Sequence, residues 1–208
     1  MSTKRGMKRL VDQLNEDAGR ELRVPAEPDV LMQALCDAMA RHVKRPIELR
    51  FRDFPVGIET SGLTLDRVTN YLVIVERRTT PPHQLVILGH ELWHVGEGDC
   101  GLHLHVGGHA AAARTGHSDE GASEGTVAAA AARIMLAEEG ISEEDFATAA
   151  ARSASHADSE SEAEAFGLLL GTRFRTWMTG PDAHNPVTQD TTAGRIARAM
   201  MFRNGPLP

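Results

Sequence analysis

Apolar positions recur at three- to four-residue spacing from Asp29 onward. Leu31, Leu35, Met39 and Val43 form one stripe and Met32 and Cys36 widen it, which predicts a helix with one buried face. Asp29 is placed to help cap its start, and Pro46 marks a stop beyond its end. The period then changes to two. Over residues 46–52, Ile47, Leu49 and Phe51 alternate with Glu48, Arg50 and Arg52, the pattern of a half-buried strand. Residues 62–66 (GLTLD) predict a second short strand. Residues 71–75 (YLVIV) are apolar throughout and predict a third, central one. Three strands this close together favour a small antiparallel or mixed sheet.

Thr79-Thr80-Pro81-Pro82 opens the next helix, because a threonine N-cap followed by proline in the first turn is a start signal. This helix carries Leu85, Leu88, Leu92 and Val95 and should end near Gly96 or Gly98. Residues 99–125 are rich in Gly and His and read as a long loop, followed by an alanine-rich helix over 126–139. Ser142 and Asp145 form a capping-box-like pair ahead of another helix. Residues 157–177 predict a helix carrying Phe166, Leu169, Leu170 and Phe174. A loop over 181–192 leads to a short basic helix at 195–202. At the other end, residues 1–27 are charged and weakly patterned, and predict a short helix and a linker broken by Pro25 and Pro28. The expected organisation is a charged N-terminal segment (1–27), a core domain (28–178) with an insertion at 99–157, and a C-terminal loop and helix (179–208).

Composition narrows the function. The chain has 208 residues, 41% hydrophobic and 25% charged, enough apolar material for one ordinary core. Its formal net charge of −7 disfavours direct nucleic-acid binding, which needs a positive surface. No apolar run approaches the ~18 residues of a membrane span, and the basic, non-apolar start is not a secretory signal. Two cysteines, Cys36 and Cys100, make no disulfide framework, so a reduced cytoplasmic setting is expected. Histidine stands out. Seven of the 10 fall between His83 and His117, which points to metal chemistry or a pH-sensitive loop.

Within the predicted helix, His90-Glu91-Leu92-Trp93-His94 is an HExxH motif. Residues four apart lie one turn apart on the same helix face, so both imidazoles can reach one Zn²⁺. Glu91, one position on, can reach an activated water as general base without being a ligand. By chance the motif is expected roughly 0.04 times in a chain of this composition, and the bland alternative is a pair of solvated histidines. Catalytic zinc takes a third protein ligand. The metzincin extension is absent, because Glu97 and Cys100 stand where its glycine and third histidine belong. A glutamate from the later helix is the other solution, and Glu160, Glu162 and Glu164 are its candidates. Glu160 and Glu164 share a face, while Glu162 points about 200° away from Glu160. Glu160 is the preferred ligand, since Glu164 can then accept a ligating imidazole's N–H. Glu164 and Glu162 remain as alternative ligands.

The 71–75 strand, the proline-marked helix start, LGHELWH and ESEAEAFGLLL together resemble the ImmA/IrrE-type zinc metallopeptidase domain, over roughly residues 46–174. The resemblance matches His90 and His94 to the family's zinc-ligand histidines, Glu91 to its catalytic glutamate and Glu160 to its distal glutamate. It matches Ala163 and Phe166 to packing positions. Glu164 departs from the asparagine common there, the stretch between the motifs is long, and Thr176-Trp177-Met178-Thr179 replaces the usual ending. The resemblance implies a bacterial intracellular protein that often works with a helix-turn-helix repressor, and some relatives are toxin-like components.

Other residues weigh less. His103 and His105 alternate as in a strand leaving the active helix, and His156 lies just before the glutamate helix. They are candidates for binding a substrate carbonyl or stabilising an oxyanion, against the plainer reading of exposed loop histidines. The expected fold is α+β with a zincin-like core: a small sheet packed on the HExxH helix and a later glutamate-bearing helix. The expected function is a gluzincin-like, Zn²⁺-dependent metallopeptidase acting on a protein or peptide substrate, such as a helix-turn-helix repressor. The rival is a regulatory or toxin–antitoxin-type binding module that keeps the zinc site without proteolysis. A third reading is a structural zinc site closed by His103 or Cys100.

Overall fold

The computed structural model describes residues 3–54, 61–67, 69–98 and 157–180, together with 137 and 140. The chain begins with helix α1 (Thr3–Glu21), longer than the short helix expected. Only four positions bury it, Met7, Val11, Leu14 and Ala18, spaced three or four apart among charges. Those four residues join the main core. Helix α2 (Pro28–Val43) follows, with Leu31, Met32, Leu35, Cys36 and Met39 buried as the stripe predicts. Its N-cap is Glu27 rather than Asp29, because Pro28 occupies the first turn. Asp29 instead accepts the Val30 N–H (2.9 Å) inside that turn.

Strands β1 (Ile47–Arg52), β2 (Gly62–Asp66) and β3 (Tyr71–Glu76) form one mixed sheet in the order β1-β3-β2. The apolar strand β3 is central. β1 runs parallel to it with Leu49 opposite Val73, and β2 antiparallel with Thr64 opposite Val73. Ile47, Tyr71, Val73 and Val75 face the helices and join their core. Leu63, Leu65, Leu72 and Ile74 point to the other face and are also buried. Burial of β3 on both faces explains why it has no polar alternation.

Glu76 closes the end of β3. It accepts hydrogen bonds from the Phe54 N–H (3.1 Å), the Arg78 N–H (2.9 Å) and the Arg78 guanidinium (2.8 Å). Burial by itself would raise its pKa, but these bonds outweigh it and hold the carboxyl below its ordinary value of 4.5. A depressed carboxylate adds stability above the unfolded pKa, and that stability is lost as pH falls from there through the folded value. Glu76→Gln should therefore cost about 1 kcal/mol at neutral pH, solvent screening most of the pairing. Urea titrations should also show a shallower acid limb below pH 4.5 than the wild type, and parallel limbs would contradict this.

After a short turn, Gln84 donates from its amide to the carbonyls of Glu76 (3.1 Å) and Arg77 (3.0 Å), tying helix α3 (Pro81–Glu97) to the end of β3. Thr80 is its N-cap and Gly98, at φ 71°, its left-handed C-cap, as expected from the prolines and glycines. Helix α4 (Ala157–Phe174) packs along α3 and runs into one turn of 3-10 helix, Arg175–Trp177. Among the described residues the fold is thus α+β, with four helices and a three-stranded sheet. Among the described residues no helix is long and apolar enough to cross a membrane. Of the expected helix at 126–139 only Ala137 is described, and it is helical; the expected elements at 99–125, 142 onward, 181–192 and 195–202 lie outside the described residues.

Candidate metal centre

Leu85, Leu88 and Leu92 are fully buried and seat α3 in the core. A different face of the helix meets α4 at very short range. A Cβ built on Gly89 would lie 2.8 Å from the Gly167 Cα, and one on Gly167 would lie 2.6 Å from the Val86 carbonyl oxygen. Only glycine at both positions lets the two backbones approach this closely. Trp93 packs against Phe166 further along, with ring centroids 5.1 Å apart and the planes tilted by 38°. The contacts run in opposite senses along the two helices, so α3 and α4 are antiparallel. That register carries Glu160, near the start of α4, to the HExxH turn.

There the Nε2 atoms of His90 and His94 stand 3.2 Å apart. One oxygen of Glu160 lies 3.5 Å from the His90 Nε2 and the other 3.5 Å from the His94 Nε2. Each of the three residues offers one donor within 4.8 Å of the others. Donors held 2.0–2.1 Å from one tetrahedral centre stand about 3.3 Å from each other. Two imidazole nitrogens and a carboxylate at this spacing could therefore hold one metal ion. His94 is fully buried, whereas the His90 and Glu160 side chains are 14% and 26% exposed. The group is supported from within, and among the described residues no fourth ligand joins it. A His-His-Glu group that could bind a metal ion is thus present, built from two adjacent helices.

Glu91 faces the sheet. It is 3% exposed, and the Thr64 hydroxyl donates to its Oε2 (2.8 Å). A Cβ on Gly62 would collide with the Glu91 Oε1 and the Ile87 side chain. Strand β2 therefore gives Glu91 both room and a hydrogen bond. Thr64 and Gly62 escaped the sequence reading, although two small residues alternating on one face of GLTLD were a signal that something bulky sits opposite. Gly167 and Gly171, four apart on the glutamate helix, were a comparable signal for the close helix pair.

Glu162 and Glu164 are half-buried and do not belong to the His-His-Glu group. Glu164 makes no hydrogen bond or ion pair to either imidazole among the described residues; one helical turn (~5.4 Å) separates it from Glu160. Ala163 and Phe166 are fully buried against α3. His103, His105, His156 and Cys100 lie outside the described residues. No family model, no curated protein and no solved structure matches the chain.

Proposed function

We propose that the protein is a zinc-dependent endopeptidase with a zincin-like, gluzincin-like core. The observation that carries this reading is the convergence of His90, His94 and Glu160 at tetrahedral donor spacing. The buried carboxylate of Glu91, beside that group in sequence and held by Thr64, supports it. The likeness of LGHELWH and ESEAEAF to the ImmA/IrrE-type domain supports a bacterial cytoplasmic enzyme whose substrate is a regulatory protein such as a helix-turn-helix repressor.

His90, His94 and Glu160 would hold the ion. When bound, a zinc ion supplies Lewis acidity towards a water and towards the scissile carbonyl. The remaining work falls to the chain. Glu91 accepts a proton as water adds to the carbonyl carbon, then delivers it to the departing nitrogen as the C–N bond breaks. The products are a carboxylate and an amine. Thr64 donates to one Glu91 oxygen, which fixes the carboxylate's orientation.

Cleavage of a quenched-fluorescent peptide library by zinc-loaded protein tests the proposal, with metal content measured alongside. The wild type should cleave, and Glu91→Gln should lose about 10²–10⁴-fold in kcat/KM while still binding one ion per chain. Wild-type protein that binds one ion, cleaves nothing and still relieves repression by its partner would overturn the enzyme in favour of a binding module. Equal cleavage by the variant would overturn the role of Glu91.

A further inference from the structure

A cleft of ≈ 500 Å³ lies away from the metal centre, between the end of α1, one face of α2 and the outer part of β1. Val30, Leu49 and Phe51 give it an apolar lining, and Val30 is 49% exposed. Glu21, Asp29 and Asp37 line it with carboxylates. Glu21 is paired with Arg41 at 3.2 Å. Asp37 accepts only the Gln33 amide (2.9 Å) and Asp29 only the Val30 N–H (2.9 Å), so neither meets a cation among the described residues. Exposed apolar surface bounded by unneutralised carboxylates suits a cationic amphipathic segment.

The chain delivers such a segment to this place. Ala26 bridges Met178 in parallel, the Thr179 N–H donates to the Ala26 carbonyl (2.7 Å), and the Thr179 hydroxyl donates to Glu27 (2.8 Å). The last described residue, Gly180, therefore sits at the start of α2, within a turn or so of Asp29 and Val30. Beyond Asp190 the sequence has no acidic residue, and it carries Arg195, Arg198 and Arg203 among Ile196, Met200, Met201 and Phe202. Written on a helix, the three arginines span about 140° of one side. Ile196, Met200 and Met201 span about 140° of the opposite side, while Phe202 falls among the arginines. The intervening residues 181–194 can extend to roughly 46 Å, against the ~12 Å along α2 from Asp29 to Asp37.

We propose that the protein's own segment 195–203 docks in this cleft, its methionines and isoleucine against Val30, Leu49 and Phe51 and its arginines towards Asp29 and Asp37. The contact is independent of the metal group. A tethered ligand needs little intrinsic affinity, because the short linker keeps its effective concentration high.

Hydrogen exchange on the full chain tests it, followed in peptides covering 195–203 and the cleft face of α2. Both should be protected in the wild type at micromolar and tenfold lower concentration alike. The variant Arg195→Glu/Arg198→Glu/Arg203→Glu should lose that protection by about tenfold or more. Adding Asp29→Lys/Asp37→Lys to it should restore protection by swapping the charges. Random-coil exchange of 195–203 in the wild type, or protection indifferent to the charge reversal, would overturn the proposal. Protection that vanishes on dilution would assign the cleft to a second copy instead, and overturn it equally.

Discussion

Replacing Gly167 with valine will destabilise the fold by about 3 kcal/mol or more and weaken metal binding with it. The new side chain has nowhere to go. Its Cβ would fall 2.6 Å from the Val86 carbonyl oxygen and 3.1 Å from the His90 nitrogen, both of them backbone atoms of α3. Backbone cannot rotate aside as a side chain can, so the helices must separate. Glu160 lies two turns from Gly167 on the same helix, and a shift of even half an ångström spoils donor spacing around an ion. The control is Gly6→Ala in α1, where nothing lies within 4 Å of the added carbon. There the same kind of substitution should stabilise by up to about 0.5–1 kcal/mol, through helix propensity alone. Urea midpoints of the metal-free proteins measure both. Wild-type stability in Gly167→Val would show that the two helices are not locked as the structure has them.

Removing the Glu160 carboxylate will cut affinity for zinc on the order of 10³-fold, about one ligand's share of the free energy of a protein zinc site. Glu162→Ala and Glu164→Ala should leave affinity within about threefold, since neither residue is part of the donor group. Competition against a chromophoric chelator reads all three variants on one scale. The side chain of Glu160 is only partly buried, so Glu160→Ala leaves no large cavity and the metal-free fold should be little changed. Affinity in Glu160→Ala equal to that of the wild type would remove the third donor, and with it the His-His-Glu site.

Much of this was legible along the chain because it is local. The 3.6-residue stripe of α2, the two-residue alternation of β1, the unbroken apolar run of β3 and the threonine–proline start of α3 each reflect constraints acting within a few residues. The spacing of His90 and His94 belongs to the same class, because one helical turn brings i and i+4 together without help from the rest of the fold. α1 was harder to read. Its four buried positions are diluted among 15 others, and only packing against α2 and α4 shows that they form a face.

The sequence by itself determined the elements from α2 to α4, the histidine pair and a short list of three glutamates on one later helix, Glu160 preferred among them. Which glutamate arrives was decided by tertiary structure, because Gly89 and Gly167 set the distance and register of two helices about seventy residues apart in the chain. The support of Glu91 was decided there too, by β2 laying Thr64 and Gly62 against it. Such choices depend on the steric fit of surfaces remote in sequence, and no periodicity within either segment encodes the distance between them.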